Sequence, residues 1–169
     1  MGRALAILAV TTIATASIAH APVPSRNLRL QLEAGALSGR LTFHLPGSAA
    51  QPYAAAANLG LALLPRALEG LRLEADGAPV QPKVADAAAR RLADGALEAS
   101  YLLQVGKVER TLRVAVAEGP PLPVAVIAQS GVKLLLQEGA GAPIAGGLLL
   151  RPRPGVSCLV VVAKKDPGP

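Results

Sequence analysis

The sequence predicts an all-β fold, an antiparallel, immunoglobulin-like β-sandwich of about nine short strands in a single domain. Three observations carry that expectation. From Asn27 onward, apolar residues recur at every second position over much of the chain. Spacers containing Gly and Pro cut these runs at short intervals. Stretches with helical spacing are few, so strands with one buried face must find each other in two layers.

Taken in order, Leu28, Leu30 and Leu32 alternate with Arg29, Gln31 and Glu33. After Ala34-Gly35-Ala36 the alternation resumes with Leu37, Gly39, Leu41, Phe43 and Leu45. Two such runs around a Gly-containing turn form a hairpin with one face buried, and Pro46 ends it by removing a ladder donor. If Leu32 pairs with Leu37, His44 lies opposite Ser25. Gly47 to Leu68 is punctuated by Pro52, Gly60 and Pro65 and reads as an irregular crossing, with a helical turn or two around Pro65 to Leu68.

Strand signals return with Leu71 and Leu73, ending at the hairpin dipeptide Asp76-Gly77, with Val80 to Val84 as the return strand. Ala85 to Leu92 fits either helix or strand. Asp94-Gly95 is a second turn, after which Leu97, Ala99, Tyr101, Leu103 and Val105 alternate cleanly. Gly106-Lys107 turns the chain into Val108 to Ala117, and Pro120, Pro121 and Pro123 interrupt it. Val124 to Ala128, Val132 to Gln137, Leu148 to Arg151 and Val156 to Ala163 supply further strands. Ser130-Gly131, Glu138 to Pro143 and Pro152 to Gly155 are turn material between them.

The first joint of the chain has a separate logic. Met1-Gly2-Arg3 is a short positive segment, Ala4 to Ile13 is mostly apolar and uncharged, and small residues follow. That is the layout of a secretory signal. Cleavage after Ala19 places Ser17 and Ala19 in the recognition positions. Cleavage after Ala21 would put Pro22, with its fixed φ and missing N–H, just past the scissile bond. The expected division is therefore a signal peptide over 1–19, one sandwich domain over 20–163 and a disordered tail over 164–169. An uncleaved N-terminal anchor is the alternative, since no charge stands between Arg3 and Arg26. The expected location is periplasmic or secreted.

Removing 19 residues from 169 leaves 150, enough for one real core. Only one of the 17 basic residues and none of the 11 acidic ones is lost with the signal, so the net charge falls from +6 to +5. The charges are scattered and the aromatics are only Phe43, Tyr53 and Tyr101, which offers no platform for stacking bases. Nucleic acid is not an expected partner. Cys158 is the single cysteine, so no internal disulfide forms. Its place in an apolar run predicts a thiol packed inward. After the signal, no apolar run is long enough to span a bilayer.

Searches for a phosphate-binding loop, a dinucleotide fingerprint or a nucleophile elbow find nothing in the sequence. Two histidines remain. A freed His20 carries an α-amine and an imidazole on one residue, a chelating pair suited to Cu²⁺ or Ni²⁺, and His44 could add a second imidazole. Both belong to the open end of the first hairpin. Five extended residues between His20 and Ser25 span roughly 17 Å, so the leading segment must fold back to bring the two rings together.

An export signal ending at a His, an alternating hairpin, an irregular crossing and the strand Gly70-Leu71-Arg72-Leu73-Glu74-Ala75-Asp76-Gly77 together resemble the extracytoplasmic N-terminal domain of hydrogenase/urease accessory permeases. The resemblance covers about residues 20 to 115 and implies a nickel/cobalt transport context, with a membrane protein or metal-transport partner. An N-terminal His before a β-sandwich is also similar to periplasmic copper-binding proteins of the CopC type. No membrane helices follow in this sequence, so transport itself is not implied. The first reading is a non-catalytic exported module that binds a partner protein or a metal, with no required cofactor. The second is a periplasmic copper- or nickel-handling protein using His20. The third is an enzyme of a type that these motifs do not reveal.

Overall fold

In a computed structural model, which describes residues 23–129 and 131–164, the chain folds as two stacked β-sheets. The expected signal over 1–19, His20 and the expected tail beyond Lys164 lie outside those residues. In chain order the strands are β1 (Ser25–Glu33), β2 (Ala36–Leu45), β3 (Leu71–Ala75), β4 (Ala78–Val80), β5 (Lys83–Arg91) and β6 (Leu97–Lys107). They continue with β7 (Thr111–Val116), β8 (Val124–Ala128), β9 (Val132–Glu138), β10 (Gly141–Ile144), β11 (Gly147–Leu150) and β12 (Cys158–Lys164). The seven-stranded sheet runs β10-β11-β8-β1-β2-β6-β5 and the five-stranded sheet runs β4-β3-β7-β12-β9.

The all-β, two-sheet architecture expected from the alternation is the one observed, with twelve strands where about nine were expected. Lys164, assigned to the tail, is the last residue of β12 and pairs with Val132. The pairing is antiparallel except between β1 and β8, which run parallel in the register Leu28↔Val124 to Leu32↔Ala128. The chain reaches β8 by crossing over from β7 in the opposite sheet, and it therefore arrives on the free side of β1 in the same direction.

The first hairpin is as its alternation demands. Ala34 and Gly35 both have positive φ, 48° and 81°, and form a two-residue turn that holds Glu33 against Ala36 and Leu32 against Leu37. Leu28, Leu30 and Leu32 then face inward along β1. Leu30 lies opposite Gly39, where a Cβ would stand 2.9 Å from the Leu30 Cδ2. Glycine in the inward phase of β2 thus makes room for the leucine across from it. The Asp76-Gly77 turn is of the same kind, with φ of 52° and 84°.

Between Pro46 and Leu71 the structure is more helical than the sequence suggests. A short turn of helix, α1 (Gly47–Ala50), leads through a 3-10 turn at Gln51–Tyr53 to α2 (Leu59–Ala67). The Asn58 side chain caps α2 by accepting from the Leu61 N–H at 3.0 Å. Pro65 lies inside α2, where its ring removes one helical donor, while Leu63 and Ala67 are fully buried on the other face. Packing overrides the proline: α2 lies against β5, β6 and β2 at one side of the larger sheet.

Three further corrections, and the resolution of one open alternative, have physical causes. Val80 to Val84 is not one strand, because β4 stops at Val80 in one sheet and β5 begins at Lys83 in the other. The alanine-rich Ala85 to Leu92 is strand through Arg91, since pairing with β6 satisfies its backbone and outweighs helix propensity. Gly106-Lys107 is not the turn: β6 runs to Lys107, with a register shift against β2, and the chain changes sheets over Val108–Arg110. Glu138 to Pro143 contains the start of β10, an edge strand where proline's missing donor faces away from the ladder.

Candidate functional site

His44 sits on the outer face of β2, half-buried, opposite Ser25 on β1 and Glu98 on β6. The sequence register placed it opposite Ser25, and the structure does the same. Its surroundings form a small hollow of about 110 Å³ that includes Thr42 and Glu98. Glu98 is already engaged, 2.6 Å from the Arg90 guanidinium on β5. Among the described residues, no three His, Cys, Asp or Glu side chains gather as a metal cluster. The second expected ligand, His20, is outside the described residues, so His44 is placed and its partner is not.

At the same end of the hairpin, Arg26 turns inward. It shares the phase of Leu28, Leu30 and Leu32, a signal present in the sequence that reading by charge alone overlooks. Arg26 is the one buried charged residue among those described. Its guanidinium donates to the backbone carbonyls of Pro120 at 3.0 Å, Ala67 at 3.2 Å and Glu118 at 3.1 Å, and also to that of Glu69. Burial pulls its pKa below the ordinary arginine value, and the Glu69 charge opposes that shift. Arg26 therefore fastens β1 to the end of α2 and to the β7–β8 connection. Its donors are committed to carbonyls, so its role is structural.

Tyr101 and Cys158 are the other core groups with chemistry. The Tyr101 hydroxyl donates to the Gly60 carbonyl at 2.8 Å and ties β6 to α2. Burial, helped by Tyr53, pushes its pKa up to about 12. Cys158 is fully buried beside Val160, and its thiol donates to the Ala140 carbonyl at 3.4 Å. It packs inward, as its apolar run predicts.

An opening lies elsewhere, at the ends of β8 and β12 and along β9. An open groove of about 840 Å³ is bounded by Ala128, Gln129, Lys133, Leu135, Gly147 and Lys164. Lys133 and Lys164 are exposed, and Leu135 is 43% exposed on β9, one of the two edge strands of the smaller sheet. Apolar walls, two ammonium groups and a sheet edge unpaired among the described residues meet there.

Fold and surface together define an all-β sandwich with a structural buried arginine and an open, basic groove at one sheet edge. No family model and no curated protein matches the chain. Among solved structures it is similar to an aminopeptidase N family protein from Idiomarina loihiensis, at 11% identity and a TM-score of 0.32, covering 81% of this chain and 29% of that one. It is also similar to native leukotriene A4 hydrolase from Saccharomyces cerevisiae, at 9% identity and a TM-score of 0.33, covering 87% of this chain and 30% of that one. The chain spans under a third of the length of either structure, and likeness at this level carries no functional reading.

Proposed function

We propose that this chain is an exported, non-catalytic β-sandwich module that binds a partner protein at the groove beside β9. The observation that carries the reading is the groove itself, where exposed Leu135, Lys133 and Lys164 flank β9, an edge strand of the smaller sheet with no strand on its outer side among the described residues. A free edge offers main-chain donors and acceptors to an added strand, and the two ammonium groups select a segment carrying carboxylates. The partner is an extended acidic segment, for which a membrane protein of a metal-transport system is the context that the sequence resemblance suggests. A photo-crosslinking residue at Leu135, in protein expressed with its export signal, tests this. One discrete crosslinked product, lost when Lys133→Glu and Lys164→Glu are combined, is the expected result. Equal crosslinking from a control position at Arg72 overturns it.

A second reading is supported by the register at the open end of the hairpin. Ser25 begins β1 directly opposite His44, so the segment leading back to His20 starts beside that imidazole. In this reading mature protein holds one Cu²⁺ or Ni²⁺ through the α-amine and imidazole of His20, with His44 assisting. Both nitrogens must lose protons to bind, so affinity falls as pH drops below about 6. Calorimetric titration compares protein starting at His20 with a form extended by one residue. Equal affinities in the two forms exclude the His20 site.

A further inference from the structure

Outside the groove and the hairpin end, the outer face of the larger sheet carries an arrangement with no internal explanation. Arg29 on β1 and Arg40 on β2 are directly opposite one another in the register and both are exposed. Side chains opposed in this way have Cβ atoms about 4.5–5.5 Å apart, and like charges so placed repel. Arg40 is in turn opposite Leu102 on β6, which is opposite Asp86 on β5.

The carboxylates on this face have partners other than Arg29 and Arg40. Glu33 accepts from the Gln31 amide. Asp86 accepts from the Ala87 N–H at 2.9 Å. Glu98 is held by Arg90 at 2.6 Å. No carboxylate among the described residues forms an ion pair with Arg29 or Arg40. The two arginines instead line a shallow hollow of about 370 Å³, together with Gln31, Ser38, Gly39 and Leu102. Its lining brings two guanidinium forks, a hydroxyl and an amide to one place, with an apolar flank from Leu102, which is 39% exposed.

We infer that Arg29 and Arg40 form an oxyanion site that takes a phosphoryl or carboxylate group between the two guanidiniums. Each guanidinium can donate a parallel pair of hydrogen bonds to two oxygens of one anion, and a bound anion turns the mutual repulsion into attraction. Ser38 and Gln31, neighbours on the same strands and the same face, can donate to remaining oxygens. The site is separate from the groove at β9 and needs nothing from His20 or His44.

The test is titration of isotopically labelled protein at neutral pH and low ionic strength, following arginine side-chain and backbone amide resonances. Inorganic phosphate is one arm, succinate the second, and chloride at matched ionic strength the control. Saturable shifts confined to Arg29, Arg40, Ser38 and their neighbours are expected with phosphate or succinate, and the tighter of the two identifies the source chemistry. Arg29→Gln and Arg40→Gln should each weaken that binding about tenfold or more, the loss of one charge-assisted pair. Arg29→Lys should lose most of it as well, because an ammonium cannot make the fork. Arg90→Gln, on the same face but paired with Glu98, should leave it unchanged. Both arginines are exposed, so these variants should fold, and unchanged melting in chloride verifies that they do. Shifts that chloride reproduces, or equal affinity in Arg29→Gln and the parent, overturn the inference.

Discussion

The Arg110 backbone N–H is held 2.7 Å from the Asp76 carboxylate, and the same carboxylate accepts from the N–H groups of Glu109 and Thr111 at 2.9 and 2.8 Å. One turn residue of the β3–β4 hairpin thereby organises the loop that carries the chain from the larger sheet to the smaller. These bonds lower the Asp76 pKa, the Glu109 N–H contributing most. Asp76→Asn keeps a residue that tolerates the positive φ but removes the charge and much of the acceptor capacity. It should cost about 1–2 kcal/mol at pH 7, read from urea melts. Because the folded pKa lies below the unfolded one, the contribution is present above about pH 4 and is lost as pH falls through the folded value. The gap between parent and variant should therefore close in acid.

On β1, neighbouring positions have opposite fates. Leu30 is fully buried and Gln31 is exposed. Leu30→Asp would set an unpaired charge among apolar side chains and should cost several kcal/mol, on the order of 3 or more. Gln31→Ser should change stability by less than about 0.5 kcal/mol. Thermal melts giving equal losses for the two would refute the inward phase of this strand.

Tyr101→Phe leaves the ring in place but deletes the bond to Gly60, and should cost about 1 kcal/mol. The raised pKa gives this tyrosine a sign opposite to Asp76. Its neutral form is favoured by folding, so the stability it supplies is whole below about pH 10 and declines as pH rises toward about 12. An alkaline absorbance titration should show a late tyrosinate step that disappears in Tyr101→Phe.

Cys158 has no exposed surface. A thiol reagent should label it slowly in the folded state and at once in denaturant, with the folded rate limited by opening of β12. Fast stoichiometric labelling of native protein would place the sulfur elsewhere.

Much of the strand pattern was legible because its cause is local. A period of two with one buried face fixes which side of β1, β2, β6 and β7 points inward, and Ala34-Gly35 and Asp76-Gly77 close their hairpins through backbone freedom at positive φ. The same local logic sets His44 opposite Ser25. The helix α2 and the strand β5 were less legible. Pro65 argues against the first and an alanine run against the second, and each local preference yields to the packing of one element against the other.

The sequence by itself determined the all-β class, the phase of the main strands, the hairpin turns and the inward Cys158, because each depends on residues near one another in the chain. Only the tertiary structure decided which sheet each strand joins, the parallel pairing of β1 with β8, and the burial of Arg26 among carbonyls from Ala67 to Pro120. The Arg29–Arg40 pairing, by contrast, follows from the same hairpin register that set His44 opposite Ser25, whereas the bringing of Leu102 of β6 beside that pair was decided by tertiary structure. Those tertiary outcomes depend on partners far apart in sequence, whose meeting is set by how two sheets and one helix close over a common core.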